Sequence, residues 1–183
     1  MSSLKIDQLE EIAKVLNVSP MSLECFIETG TFRGETSKGM SSSFKKVITI
    51  EISEALYNKA LRGFKDYANI EAHLGDSSVV LDEVIENNTH QENIVFFLDG
   101  HYSSRKTGRG KVDVPLLEEL PLISKRNRTD IIVIDDYRLF GSKRKEDWSY
   151  ISEEKIKECF KPNQIDKIIV VGDRLCILTK VVL

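Results

Sequence analysis

"NIVFFLDGH" (93–101) and "DIIVIDD" (130–136) decide the fold of this chain. Both are apolar at successive positions rather than alternate ones, and both end on aspartate. A strand with one wet face alternates apolar and polar side chains; a strand covered on both faces reads as an unbroken Val/Ile/Phe run. The two segments therefore predict central parallel strands, the fourth and fifth of the chain. Outward from them, short apolar runs alternate with amphipathic segments. "ECFIETG" (24–30) predicts a first strand, with a helix over about 35–44 behind it. "KVITIEIS" (46–53) predicts a second strand, and Ser53 caps the helix "SEALYNKALRGFKDY" (53–67). Strand "IEAHLGD" (70–76) and helix "SSVVLDEVIEN" (77–87) lead into the fourth strand.

Beyond the fourth strand comes a polar loop, then helix "PLLEELPLISKR" (115–126), which opens on a proline suited to a first turn and carries Pro121, an expected kink or break. After a helix around 152–160, "IDKIIVVGDRLCILTKVVL" (165–183) predicts two strands hinged at Gly172-Asp173. An opening helix has Leu9, Ile12, Ala13 and Leu16 at helical spacing. The sum is an α/β, doubly wound, mostly parallel seven-stranded sheet with a C-terminal antiparallel hairpin and helices on both faces. Ligands on such sheets bind at the carboxyl ends of the strands.

A length of 183 residues favours one domain, 1–183, with 1–20 as a helical extension that covers part of the ligand site or supports a homodimer. With 41% hydrophobic and 30% charged residues the composition is that of a folded globular chain. A net charge of −3 argues against a nucleic-acid surface, and no apolar run is long enough to span a membrane. Cys25, Cys159 and Cys176 lie in or beside apolar segments and are odd in number, the expectation for reduced thiols of a cytoplasmic protein.

Acids gather at the strand ends: Glu28, Glu51, Asp76, Asp99, Asp135 and Asp136. Any one of them also reads as a helix cap. As a set, with glycines beside Glu28, Asp76 and Asp99, they read as a binding rim. Gly30 and Gly34 suit a tight turn, but Phe32 stands where a dinucleotide fingerprint has its middle glycine. Glu28 near that turn repels pyrophosphate and attracts an ammonium or sulfonium group. Glu51 is placed to accept from ribose hydroxyls and Asp76 from an adenine amine. A cationic adenosine compound meets all three demands; a nicotinamide dinucleotide meets only the ribose one.

"FIETGTFRGETS" (26–37), "ITIEIS" (48–53), "LGDS" (74–77) and "FFLDGH" (96–101), in this order, resemble the motifs of S-adenosylmethionine-dependent methyltransferases with the Rossmann-like fold. The resemblance covers about residues 24–183. It implies that Glu28, Gly30, Thr31 and Gly34 flank the methionine end of the cofactor. It likewise implies that Glu51 and Ile52 take the ribose, that Asp76 and Ser77 lie by the adenine, and that Asp99 lines the site.

Asp99 and the pair Asp135-Asp136 stand at the tips of neighbouring strands, where three carboxylates would repel unless a cation neutralised them. All-oxygen donors suit Mg²⁺. The competing reading has Asp99 on the cofactor and Asp135-Asp136 capping a loop or pairing with Arg138. "LDGHY…IDDYR" also resembles the metal-dependent sugar O-methyltransferases related to macrocin O-methyltransferase, which implies Asp99, Asp135 and Asp136 as Mg²⁺ ligands. That family often has an acidic base two residues after the first ligand; here the position is His101. The expected activity is methyl transfer to a hydroxyl of a small molecule, anionic acceptors included, with a sugar as the leading candidate and His101 as base.

Arg105, Lys106, Arg109 and Lys111 form a basic, glycine-containing loop suited to an acidic acceptor, and Tyr102, Tyr137 and Trp148 offer rings for stacking on a sugar. Two rivals stand beside this reading: a nucleotide- or NAD-dependent sugar-modifying enzyme, and a non-catalytic S-adenosylmethionine-binding module.

Overall fold

The structure, a computed structural model of the chain, describes residues 3–18, 24–91, 93–103 and 107–183. Arg105 and Lys106 of the basic loop lie outside the described residues.

Seven strands form one sheet: β1 Cys25–Thr29, β2 Lys46–Glu51, β3 Ile70–Leu74, β4 Ile94–Leu98, β5 Ile131–Ile134, β6 Ile165–Val171 and β7 Arg174–Thr179. Their spatial order is β3-β2-β1-β4-β5-β7-β6. Neighbours from β3 to β5 pair in parallel, and β7 runs antiparallel to both β5 and β6. Strand order reverses between β1 and β4, the switch point at which the two halves of the sheet diverge and leave a crevice.

β1, β4 and β5 are buried along their whole lengths, as the unbroken apolar runs of β4 and β5 require. Successive residues feed opposite faces of the sheet. Ile27, Ile48, Phe96 and Ile132 pack on one side with Leu81, Leu120 and Ile156 from helices α4 (Ser77–Asn87), α5 (Leu116–Lys125) and α6 (Glu153–Glu158). Phe26, Val47, Val95 and Val133 pack on the other with α1 (Ile6–Leu16) and Met40 of α2 (Glu35–Met40). Helix α3 (Glu54–Gly63) follows β2, with Ser53 capping it through the Leu56 N–H.

α1 buries Leu9, Ile12, Ala13 and Leu16 in this second core and makes its main contacts with β6. Gln8 near its start accepts from Arg174 Nη1 at 3.2 Å, and no described residue of α1 lines the cleft at the strand tips. α5 runs through Pro121 without the expected break; the missing N–H deprives only the Leu117 carbonyl of its partner. α2 is shorter than expected, ending at Met40. None of the described helices is long and apolar enough to cross a membrane.

Candidate functional site

The parallel ladder continues one step beyond the strands and aligns their tips. Gly30 N–H donates to the Ile50 carbonyl, Gly75 N–H to Glu51, Asp99 N–H to Thr29 and Asp135 N–H to Leu98. A cleft of about 260 Å³ opens along this rim. Gly30, Glu51, Ile52, Asp76, Ser77, Asp99 and His101 line it, so seven expected site residues share one cavity. Glu28, Thr31 and Gly34 do not face it.

The turn after β1 is built around close backbone approach. Gly30 has φ +86°, and a Cβ there would stand 2.5 Å from the Asp99 backbone oxygen. Phe32, at the fingerprint glycine position, takes φ +49°, a left-handed conformation that costs a non-glycine residue energy. Its N–H donates to Glu51 Oε2 at 2.8 Å, which holds the turn there. Glu51 Oε1 accepts the Ser53 N–H at 2.9 Å, so this one carboxylate ties the first turn to the second. Burial raises the Glu51 pKa and these N–H groups oppose the rise.

Glu28 lies one layer deeper, 2% exposed, accepting Ser37 Oγ–H at 2.5 Å and Thr49 Oγ1–H at 3.1 Å. Burial pushes its pKa up to about 8, against those hydroxyl donors. Thr31 Oγ1 meets Thr49 Oγ1 at 2.6 Å, and Gly34 is the left-handed cap of α2, pressed on the Phe64 ring. These three shape the turn from behind.

Asp76 does two things at once. Its Oδ1 caps α4 by accepting the Ser78 N–H at 3.0 Å and the Ser78 hydroxyl at 2.7 Å, while the residue lines the cleft. The described part of the basic loop folds over this region. A Cβ on Gly110 would come 2.6 Å from Asp76 Oδ2, and one on Gly108 would come 2.3 Å from Ile52 Cγ2. Thr107, Lys111 and Tyr102 line the cleft beneath the loop. Arg109 is drawn aside, its Nε bonded to Asp113 at 2.8 Å and its guanidinium over the Tyr102 ring.

At the other end His101, 8% exposed, stands between two aspartates. Nδ1 lies 3.4 Å from Asp99 Oδ1, and Nε2 lies 3.4 Å from Asp136 Oδ2. Burial works against its charge, but contact with Asp99 and then Asp136 outweighs it, and the imidazole pKa stands above its usual value. Burial foremost raises Asp99 as well. Asp99, His101 and Asp136 each bring a ligand atom within 4.8 Å of the others, a set of two carboxylates and an imidazole. Asp135 stands outside that set, 3.0 Å from Arg174 Nε. Burial and the neighbouring Asp99 lift Asp135 to about 6, with Arg174 opposing. Asp136 is joined by Arg138 Nη1 at 2.6 Å. Two arginines and the His101 imidazole thus face the acids that the sequence reading assigned to a metal.

The aromatic expectations divide. Trp148 is 3% exposed and packs edge-on against His101 and flat against Phe140, so it is not free to stack on a ligand. Tyr137 packs on Phe140 and donates its hydroxyl to Glu153. Tyr102 remains in the cleft.

Two residues escape the sequence reading. Arg174 reaches Asp135 because β5 and β7 pair with Ile134 opposite Leu175. Glu119 is 1% exposed, on the buried stripe Leu116, Glu119, Leu120, Ile123 of α5; its place on that stripe is the signal that marks it.

No family model and no curated protein sequence matches the chain. Solved structures do. A candidate caffeoyl-CoA O-methyltransferase from Staphylococcus aureus aligns with TM-score 0.60 at 16% identity, covering 98% of this chain and 84% of that one. An rRNA methylase from Streptococcus thermophilus aligns with TM-score 0.58 at 15% identity over 99% of both chains. An S-adenosylhomocysteine-bound methyltransferase from Podospora anserina aligns with TM-score 0.60 at 12% identity, covering 98% of this chain and 80% of that one. At these identities the likeness is one of fold alone.

Proposed function

We propose that this cleft binds S-adenosylmethionine and that the chain transfers the methyl group to a hydroxyl of a small molecule, a sugar or glycosylated metabolite being the best fit. One observation carries the reading: acids from three strand tips, Glu51, Asp76 and Asp99, line a single cleft beside the close-packed Gly30 turn. Bound there, S-adenosylmethionine supplies a methyl group activated by a positively charged sulfur. Glu51, its two oxygens already fixed by backbone N–H groups, offers its remaining lone pairs to a pair of ribose hydroxyls. Asp76 Oδ2 and Ser77 stand where an adenine edge would be read. Glu28 supports the turn through Ser37 and Thr49 instead of touching the ligand.

His101 borders both the cleft and the Asp99/Asp136 corner, and Trp148 fixes its ring. In its neutral form it accepts the proton of an acceptor hydroxyl lying in that corner. The net charge of −3 and the acidic rim favour a small acceptor over a nucleic-acid strand.

A divalent cation, Mg²⁺ in the first instance, is a second element of the proposal, favoured by the close approach of Asp99, His101 and Asp136. Asp99 fits a hard ion; Asp135 and Asp136 fit less well, because Arg174 and Arg138 already supply their counter-charges. Such an ion would polarise the acceptor oxygen.

Thermal-shift measurements with S-adenosylhomocysteine and with NAD test the cofactor assignment. Stabilisation by the first and not the second is expected. The reverse would hand the cleft to the nucleotide-dependent rival, while binding without methyl transfer to any hydroxylated acceptor would favour a non-catalytic module.

A further inference from the structure

Behind the cleft, between the β4 tip and α5, lies a small pocket of about 10 Å³ lined by Asp99, His101, Val114, Glu119, Ile134 and Trp148. Three of those residues carry a buried side-chain atom with no hydrogen-bond partner among the described residues: Asp99 Oδ1, Glu119 Oε1 and Trp148 Nε1. A fourth such atom, Thr29 Oγ1, adjoins Glu119 at Gly100, where a Cβ would meet Thr29 Oγ1 at 3.0 Å and Glu119 Oε1 at 3.3 Å. Asp99 Oδ1 has the 3.4 Å approach of His101 Nδ1, without hydrogen-bond geometry. A buried orphan of this kind is costly, and the gathering of several around one opening is informative.

We infer that this pocket holds one internal water molecule, which accepts from the Trp148 indole N–H and donates to Glu119 and Asp99, bracing the Asp99 carboxylate from behind. The size fits, because a water needs roughly 10–15 Å³ of such space and usually makes about three hydrogen bonds. The chemistry fits as well: one donor and two acceptors are what a water's lone pair and two protons complement. The water satisfies three of the four orphans, and Thr29 Oγ1–H can then turn toward the Glu119 carboxyl. Glu119 and Trp148 are thereby positioning residues. Neither lines the main cleft, and they act on it through Asp99. This bracing role rests on the cleft being a S-adenosylmethionine site; the water site itself does not.

A crystal structure of the wild-type protein tests the water directly: a density peak within hydrogen-bond distance of all three atoms is expected. A dry pocket, or Trp148 Nε1 bonded straight to a protein oxygen, would overturn the inference. Trp148→Phe keeps an aromatic ring in place but removes the N–H donor together with part of the indole's buried surface. It should weaken S-adenosylhomocysteine binding by about five-fold, the scale of one lost hydrogen bond, in a variant whose far-ultraviolet circular dichroism is unchanged. Glu119→Gln, which keeps an acceptor oxygen, should retain the water and bind within two-fold of wild type, so it reports on the site even if the Phe variant misfolds. Equal affinity of wild type and a folded Trp148→Phe would remove the bracing role. Failure of the wild type to bind S-adenosylhomocysteine, with the water in place, would overturn the cofactor reading and leave the water site standing.

Discussion

Glu28→Gln isolates the energetic cost of burying an acid beneath the cleft. In the folded chain burial holds the Glu28 carboxyl up to about 8, against an ordinary value of 4.5. A raised folded-state pKa means that the contribution is fully present below 4.5 and is lost as pH rises through about 8. The gap of the two values, at ~1.4 kcal/mol per unit, sets a ceiling of about 5 kcal/mol. Relaxation around the ionised group and water reaching the strand tip reduce this, and about 2–3 kcal/mol is expected. Glutamine keeps an oxygen for Ser37 and Thr49 and never ionises. Urea denaturation of both proteins at pH 5, 7 and 9 gives the comparison. Glu119 and Asp135, which burial also raises, titrate in both proteins and cancel in the difference. The stability of the variant relative to wild type should increase from pH 5 to pH 9. Parallel profiles would show that Glu28 is not held neutral, and the reasoning about the buried tip would fail.

Glu51→Ala removes both the ribose acceptor and the clamp on Phe32 and Ser53, and calorimetry should show S-adenosylhomocysteine affinity reduced by roughly 1.5–3 kcal/mol. Unchanged affinity would take Glu51 out of the site. Arg174→Ala leaves Asp135 buried without its guanidinium and should cost about 3–5 kcal/mol in urea denaturation at pH 8; a loss under about 1 kcal/mol would mean the pair is not formed in solution. Gly110→Ala places a methyl group 2.6 Å from Asp76 Oδ2, so the loop or the Asp76 carboxylate, which also caps α4, must shift. Proteolysis of the loop should quicken and adenosine affinity should fall, whereas wild-type behaviour would place the loop elsewhere.

Much of the fold was legible because burial on two faces leaves its mark on a strand: "VFFL" and "IIVI" admit few other readings. The rim was legible too, since Glu51, Asp76 and Asp99 end apolar runs and the ladder aligns those ends. What stayed hidden depends on register and on partners far along the chain. The Arg174–Asp135 pair exists because β7 turns back along β5, a contact that no local pattern encodes. Trp148 was offered as a ring for stacking on a sugar, yet Phe140 and His101 enclose it. Glu119 was not singled out, although helical spacing puts it in line with Leu116, Leu120 and Ile123. Pro121 was expected to interrupt α5, but packing against α4 and the sheet outweighs one missing hydrogen bond.

Titration of the wild-type protein with S-adenosylhomocysteine in a calorimeter, with and without Mg²⁺, tests the cleft assignment most directly. Saturable one-to-one binding is predicted. No heat and no saturation at millimolar ligand would contradict it.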